Sequence, residues 1–127
     1  MFTIIFPVLN ERLRLENGVT RTVEYLQSIA FEDYEIIIVD NGSEDETPQI
    51  AEKLCKKYDK VRYERINVRG VGAAFRRGVE VSHGDVVGYM DIDLSTNIRH
   101  LGEAIHLFET QPEIQYINGS RFARESD

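Results

Sequence analysis

Asp91 and Asp93 are the residues in this sequence with the most direct chemical meaning. They follow the apolar run Asp85 to Met90. In an extended chain, residues two apart point the same way, about 6.6 Å apart along the strand. Two carboxylates at that separation repel by about 2.5 kcal/mol at an effective dielectric of about 20. A divalent cation removes the repulsion and turns the pair into a ligand set. Hard oxygen donors favour Mg2+ or Mn2+, which keep open positions for phosphate oxygens. A solvated acidic turn would have the same spelling, and the strand before the pair is what favours the metal reading.

Other candidate residues, polar or glycine and proline, follow the remaining apolar runs. They are Pro7, Asn10 and Glu11 after the first run, Asp40, Asn41, Gly42 and Ser43 after the second, Arg69, Gly70 and Gly72 after the third, and Asn118 to Arg121 after the fifth. Asp40 could cap the turn that Asn41-Gly42 signals, or hydrogen-bond to a base or ribose. The run Arg69-Gly70-Val71-Gly72-Ala73-Ala74 enters a helical pattern. Small residues there let the backbone approach a ligand, and a helix N-terminus favours anions. The segment is not a dinucleotide fingerprint, because Phe75 stands where the third glycine would be. His83, His100 and His106 have no metal-ligand spacing and read as structural or surface residues, and Cys55 reads as a small core residue.

The elements that must position these residues are legible from periodicity. Phe2 to Phe6, Glu35 to Val39, Val61 to Ile66, Asp85 to Met90 and Gln115 to Ile117 read as strands. Ile36-Ile37-Ile38-Val39 is continuous in β-branched residues, the pattern of a strand buried on both faces of a parallel sheet. Between the strands lie helical stripes: Val19, Val23, Leu26 and Ala30; Ile50, Ala51, Leu54 and Tyr58; Val71, Ala74, Phe75 and Val79; Ile98, Leu101, Ile105 and Phe108. Thr47 is a plausible N-cap before Pro48, and Asn97 before the last stripe. The β-α-β-α-β-α-β-α-β order predicts a doubly wound α/β sheet whose strand order reverses near the first strand. Ligands of such sheets bind outside the carboxyl ends of the strands, where the polar residues above would face one cleft.

The bulk properties agree with one globular domain. The chain has 127 residues, 42% hydrophobic and 29% charged. Its net charge of -7 argues against nucleic acid as a partner. A local cation can still reverse the field in one cleft and admit a phosphorylated small molecule. The single cysteine cannot form an internal disulfide, which fits a cytoplasmic setting. No apolar run reaches the roughly 18 residues of a membrane span.

Taken together the motifs resemble those of family-2 glycosyltransferases. Phe6-Pro7-Val8-Leu9-Asn10-Glu11 resembles their P-x-x-N-E, and Ile38-Val39-Asp40-Asn41-Gly42-Ser43 their V-D-D-G-S. Arg69 to Ala74 resembles their G-x-G-x-A turn, and Met90-Asp91-Ile92-Asp93-Leu94-Ser95 their D-x-D. Gly119-Ser120-Arg121-Phe122 is similar to the G-S-R-[YF] of the branch with dolichyl-phosphate mannose synthase and related polyprenyl-phosphate glycosyltransferases. Asn41 departs from the family's second acid, and Ser95 from its Gln or His.

The resemblance implies a glycosyltransferase A fold and an inverting transfer from a nucleoside-diphosphate sugar (GDP- or UDP-sugar) to a polyprenyl phosphate or a glycan. It implies catalytic roles for Asp91 and Asp93, with Asp93 on the metal and Asp91 near ribose or metal. Pro7, Asn10, Glu11, Asp40, Arg69, Gly70, Gly72, Asp91 and Arg121 would form the donor site, with Glu11 and Asp40 at the nucleoside and Arg121 neutralising phosphate. Domains of the family usually continue further, so residues 1–127 are expected to be the nucleotide-sugar-binding part with the acceptor part missing. The full-length protein is expected at the inner face of the membrane, peripherally attached. A sugar nucleotidyltransferase is an alternative, although such enzymes usually carry a glycine-rich segment with a basic residue after the first strand. A non-catalytic nucleotide-binding or regulatory α/β module is another, although a receiver-like domain would want an acidic pair there.

Overall fold

The β-branched runs become the centre of one six-stranded sheet in the computed structural model. The structure describes residues 1–68, 70–93, 97–110, 116–117 and 122–124. The elements are β1 (Phe2–Val8), α1 (Leu15–Ser28), β2 (Tyr34–Asp40), α2 (Thr47–Lys57), β3 (Val61–Arg65), α3 (Val71–Val81), β4 (Val86–Tyr89), α4 (Asn97–Thr110), β5 (Tyr116–Ile117) and β6 (Phe122–Arg124). The strand order is β3-β2-β1-β4-β6-β5. The chain therefore reverses direction across the sheet between β1 and β4, as the alternation of elements predicts.

β1 pairs in parallel with β2 and with β4, and β2 with β3. The register aligns Val8 with Asp40 and Asp40 with Arg65, so these three residues form one row at the carboxyl edge. β4 stops sooner. Its last pair is Tyr89 with Ile5, and the Met90 N–H donates to the Ile5 carbonyl at 3.0 Å. Two residues on, Pro7 presents the same side of β1 and has no N–H to donate, so the ladder with β4 ends there. The chain after Met90 is released from the sheet to turn toward α1.

β6 was not anticipated. It runs antiparallel between β4 and β5, with Val86 opposite Arg124 and Val87 opposite Ala123. Three residues are too few to carry an alternation signal, and pairing with a strand far back in the chain has no local signature.

Two apolar layers cover the sheet. Phe2, Ile4, Phe6, Val8, Ile36 and Ile38 meet α1, α2 and α4 through Val19, Leu26, Leu54 and Leu101. Ile5, Ile37, Val39 and Val87 meet α3 through Ala74, with Phe75 and Val79 packed at the margin. Ala30 does not join the α1 stripe. The helix ends at Ser28, and Ala30 takes a left-handed φ of 56° at the surface while Phe31 turns inward. Among the described residues, no helix is long and apolar enough to cross a membrane.

At the amino end of the sheet, Glu35 is buried on the α3 side. Its Oε2 accepts from the Thr3 hydroxyl at 2.7 Å and from the His83 N–H, and its Oε1 accepts from Arg62 Nη2 at 2.8 Å. Burial alone would raise this carboxyl, but the His83 N–H, the Thr3 hydroxyl and Arg62 together hold it below its ordinary range. Since the folded form has the lower pKa, the group's contribution is complete above the usual glutamate value of about 4.3 and declines as pH falls toward the lowered one. Glu35→Gln is expected to cost about 2 kcal/mol at neutral pH and to flatten the acid side of a stability profile measured by urea unfolding. An unchanged profile would remove Glu35 from this role.

Candidate functional site

The carboxyl ends of β1, β2 and β4 bring most of the described candidate residues to one pole. Asp91 and Asp93 lie in the turn after β4, both exposed, while Ile92 between them is 3% exposed and joins the core beneath α1. The turn is held by close backbone contact. A methyl group on Gly18 of α1 would lie 2.3 Å from the Ile92 carbonyl oxygen, so only glycine lets the helix approach this closely. The buried Met90 and Ile92 thus bracket Asp91, and the two carboxylates are left on the solvent side.

The turn after β2 is built around Asp40, which is wholly buried. Its Oδ1 accepts from the Ser43 N–H at 2.7 Å, and its Oδ2 from the Tyr63 hydroxyl at 2.7 Å and Arg65 Nη1 at 3.3 Å. Arg65 Nη2 also donates to the Ser43 carbonyl at 2.9 Å. Burial and the hydrogen bond to Asp40 push the Tyr63 hydroxyl up to about 12, so it remains a donor at all ordinary pH. Of the two roles open to Asp40 in the sequence, the structure displays the turn-holding one. Tyr63 and Arg65 were missed as parts of this arrangement. The polar run Arg62-Tyr63-Glu64-Arg65 was the available signal, because a strand buried on both faces would not carry it.

The segment after β1 is tied to the same turn. Asn10 takes a left-handed φ of 54°, which asparagine tolerates, and its Oδ1 accepts from the Glu44 N–H at 2.8 Å. Its own N–H donates to the Ser43 hydroxyl at 2.8 Å. The Glu11 N–H donates to the Thr47 hydroxyl at 2.9 Å, so Thr47 is not the cap of α2. The cap position of α2 falls on Glu46, which makes no side-chain capping bond, while Asp45 accepts from the Thr47 N–H at 2.9 Å. The Glu11 carboxylate is partly exposed and lies 3.6 Å from Arg14 Nε. Pro7 is half-buried at the end of β1.

Gly70 and Gly72 open α3. Gly70 has a φ of 125°, which requires glycine, and a methyl group at Gly72 would meet nothing within 4 Å. Arg69, Leu94 to Thr96 and Asn118 to Arg121 lie outside the described residues. His83 contributes its N–H to Glu35 and is not a surface residue alone. A groove of about 520 Å³ lined by Phe31, Tyr34, Tyr58 and Lys60 lies at the opposite pole of the sheet from Asp91 and Asp93. Its lysines are already engaged, Lys60 4.7 Å above the Tyr34 ring and Lys57 5.3 Å above that of Tyr58.

Among the described residues, no group of three or more His, Cys, Asp or Glu side chains could hold a metal. Asp91 and Asp93 offer two carboxylates at most. That donor set fits Mg2+ or Mn2+, which are commonly bound by one or two carboxylates with phosphate oxygens and water completing the sphere.

The family model for glycosyl transferase family 2 matches residues 3–126, nearly the whole chain. The chain belongs to glycosyl transferase family 2. Among its relatives, glycosyltransferase AglD of Haloferax volcanii is 37% identical over 122 residues, covering 94% of this chain and 19% of that protein. Dolichyl-phosphate beta-glucosyltransferase of Mus musculus is 35% identical over 136 residues, covering 98% of this chain and 42% of that protein. The chain thus spans less than half the length of either relative. Among solved structures, the mannosyltransferase PcManGT of Pyrobaculum calidifontis, in complex with GDP-Man and Mn2+, superimposes with a TM-score of 0.71 at 20% identity. That match covers 90% of this chain and 33% of the other. It shows a shared fold, so the mainly parallel α/β sheet here is of the glycosyltransferase A type.

Within this family-2 fold, Gly72 gives a test of close ligand approach. Gly72→Ala is expected to stabilise the protein by about 0.5 kcal/mol, because alanine is the better helix former and has room. If a nucleotide approaches this backbone, the same change weakens nucleotide affinity about tenfold, or about 1.4 kcal/mol. Thermal melting and calorimetric titration read the two effects. Tighter or equal binding by the variant would remove Gly72 from the site.

Proposed function

We propose that residues 1–127 form the nucleotide-sugar-binding part of a metal-dependent, inverting family-2 glycosyltransferase, with a GDP- or UDP-sugar as donor and a polyprenyl phosphate as acceptor. The observation that carries this reading is the exposed Asp91 and Asp93 pair flanking a buried, backbone-locked Ile92 at the carboxyl end of β4. The dolichyl-phosphate glucosyltransferase relative supports the acceptor class, and the GDP-Man and Mn2+ in the neighbouring fold support the donor and the cation.

Asp91 and Asp93 hold the cation, with Asp93 as the main ligand. When bound, the cation supplies positive charge against the diphosphate as it leaves. Glu11 contacts the nucleoside from the end of β1. Asp40, through the Ser43 turn, shapes the nucleoside pocket. Arg69 and Arg121 add positive charge beside the phosphates. A bond forms between the acceptor oxygen and the anomeric carbon as the bond from that carbon to the diphosphate oxygen breaks. A phosphate acceptor is already anionic and needs no general base, whereas a sugar hydroxyl would need one. The full-length protein meets its lipid acceptor by peripheral association with the inner face of the membrane.

The test is calorimetric titration of UDP and GDP with manganese and with chelator. Binding of one nucleotide in manganese and its loss in chelator is expected. Metal-independent binding would overturn the cation's role, and absence of binding by both nucleotides would overturn the donor assignment. Pyrophosphate release from a nucleoside triphosphate and a sugar phosphate would point instead to nucleotidyl transfer.

A further inference from the structure

We propose that Asn41 is a positioning residue for the donor site, its buried amide latching the carboxyl end of β2 to the loop that opens α3. The proposal rests on the reading of this pole as a nucleotide site. Asn41 is 6% exposed, and its main-chain N–H donates to the Val8 carbonyl at 2.9 Å. Its side chain reaches the other way. With the amide oriented to suit its neighbours, Nδ2 donates to the carbonyls of Val68 at 3.1 Å and Gly70 at 3.3 Å. The Gly70 carbonyl also accepts from the Ala74 N–H at 3.2 Å in the first turn of α3. One residue therefore joins β1 through its main chain and the start of α3 through its side chain.

The described residues of the loop are thinly packed. The side chain of Val68 is 64% exposed, and no atom would lie within 4 Å of a methyl group on Gly70. The Ile66 N–H donates to the Asp40 carbonyl at 2.9 Å, which fixes the loop's entry. Asn41 fixes its exit, where Gly70 must hold a φ of 125°. Both acceptors are carbonyls with nothing to donate, so the residue at 41 must bring hydrogens. Asparagine does so, and an ionised aspartate of the same shape cannot. The acid that the family pattern places here would be repelled by both carbonyls in this loop conformation.

Asn41→Asp tests the latch with almost no change of volume. Two readouts separate the latch from its consequence: hydrogen exchange of the Gly70 to Ala74 amides, and titration of UDP and GDP in manganese. Each is expressed as the ratio of variant to wild type at one pH, so that Asp40, Tyr63, Arg65 and Glu44, present in both proteins, cancel. At about pH 8 the variant is expected to exchange these amides about tenfold faster and to bind nucleotide about tenfold more weakly. Both ratios should shrink toward unity at about pH 5, where a carboxyl raised by burial against acceptors regains a proton and can donate. A merely structural role would lower the melting temperature without this pH dependence. Equal exchange at the higher pH overturns the latch. Faster exchange with unchanged affinity overturns its role at the donor site. A wild type that binds neither nucleotide overturns the proposed function and the donor role with it, a result distinct from equal exchange.

Discussion

Asp93→Asn is expected to lower nucleoside diphosphate affinity in manganese about 100-fold, or about 2.7 kcal/mol, to the level seen with chelator. The cause is electrostatic. A diphosphate approaching a chain of net charge -7 is repelled unless a cation intervenes. Glu11 and Glu46 at the same pole are paired with Arg14 at 3.6 Å and Arg12 at 3.5 Å, so the aspartate pair is where a cation has most effect. Asp93 is exposed and the amide keeps its shape, so unfolding free energy measured in urea on the same variant separates loss of metal affinity from loss of folding. Asp40→Asn makes the informative contrast. It is wholly buried and accepts from Ser43, Tyr63 and Arg65, so an amide would set donors against donors. That change should cost about 2 kcal/mol of stability while leaving the manganese requirement intact. Asp93→Asn binding as tightly as wild type in manganese would show that Asp93 is not a metal ligand.

Gly18→Ala carries the second large effect, at a residue with no polar side chain. Its added methyl would sit 2.3 Å from the Ile92 carbonyl oxygen and 2.8 Å from Ile92 Cδ1. The first contact is with backbone, so no rotamer change relieves it. Either α1 withdraws or the turn holding Asp91 and Asp93 moves. Overpacking of this kind costs about 2–3 kcal/mol. We expect lower stability in urea together with at least a tenfold loss of manganese-dependent binding, or about 1.4 kcal/mol. A variant that loses stability but keeps full metal-dependent affinity would show that the turn does not depend on this contact.

What the sequence determined by itself was whatever repeats locally. The β-branched run through Ile36 to Val39 specified a strand buried on both faces, and the alternation of strands with helical stripes specified a doubly wound sheet. The motifs at the strand ends marked the pole, because a strand's carboxyl end is defined within its own few residues. The tertiary structure decided what those residues touch. Asn10 meets Glu44 and Glu11 meets Thr47 across more than thirty residues, so no local pattern announces either bond. Asp40 could have faced a ligand or its own turn, and only the placement of β3 beside β2 brought Tyr63 and Arg65 to its second oxygen. Thr47 had the spelling of a cap, yet its hydroxyl serves Glu11 and the cap position falls on Glu46. Gly18 has no local signature, and only packing set it against Ile92. Periodicity follows from the geometry of one strand or helix, whereas partners are set by sheet order and register, which the whole chain fixes at once.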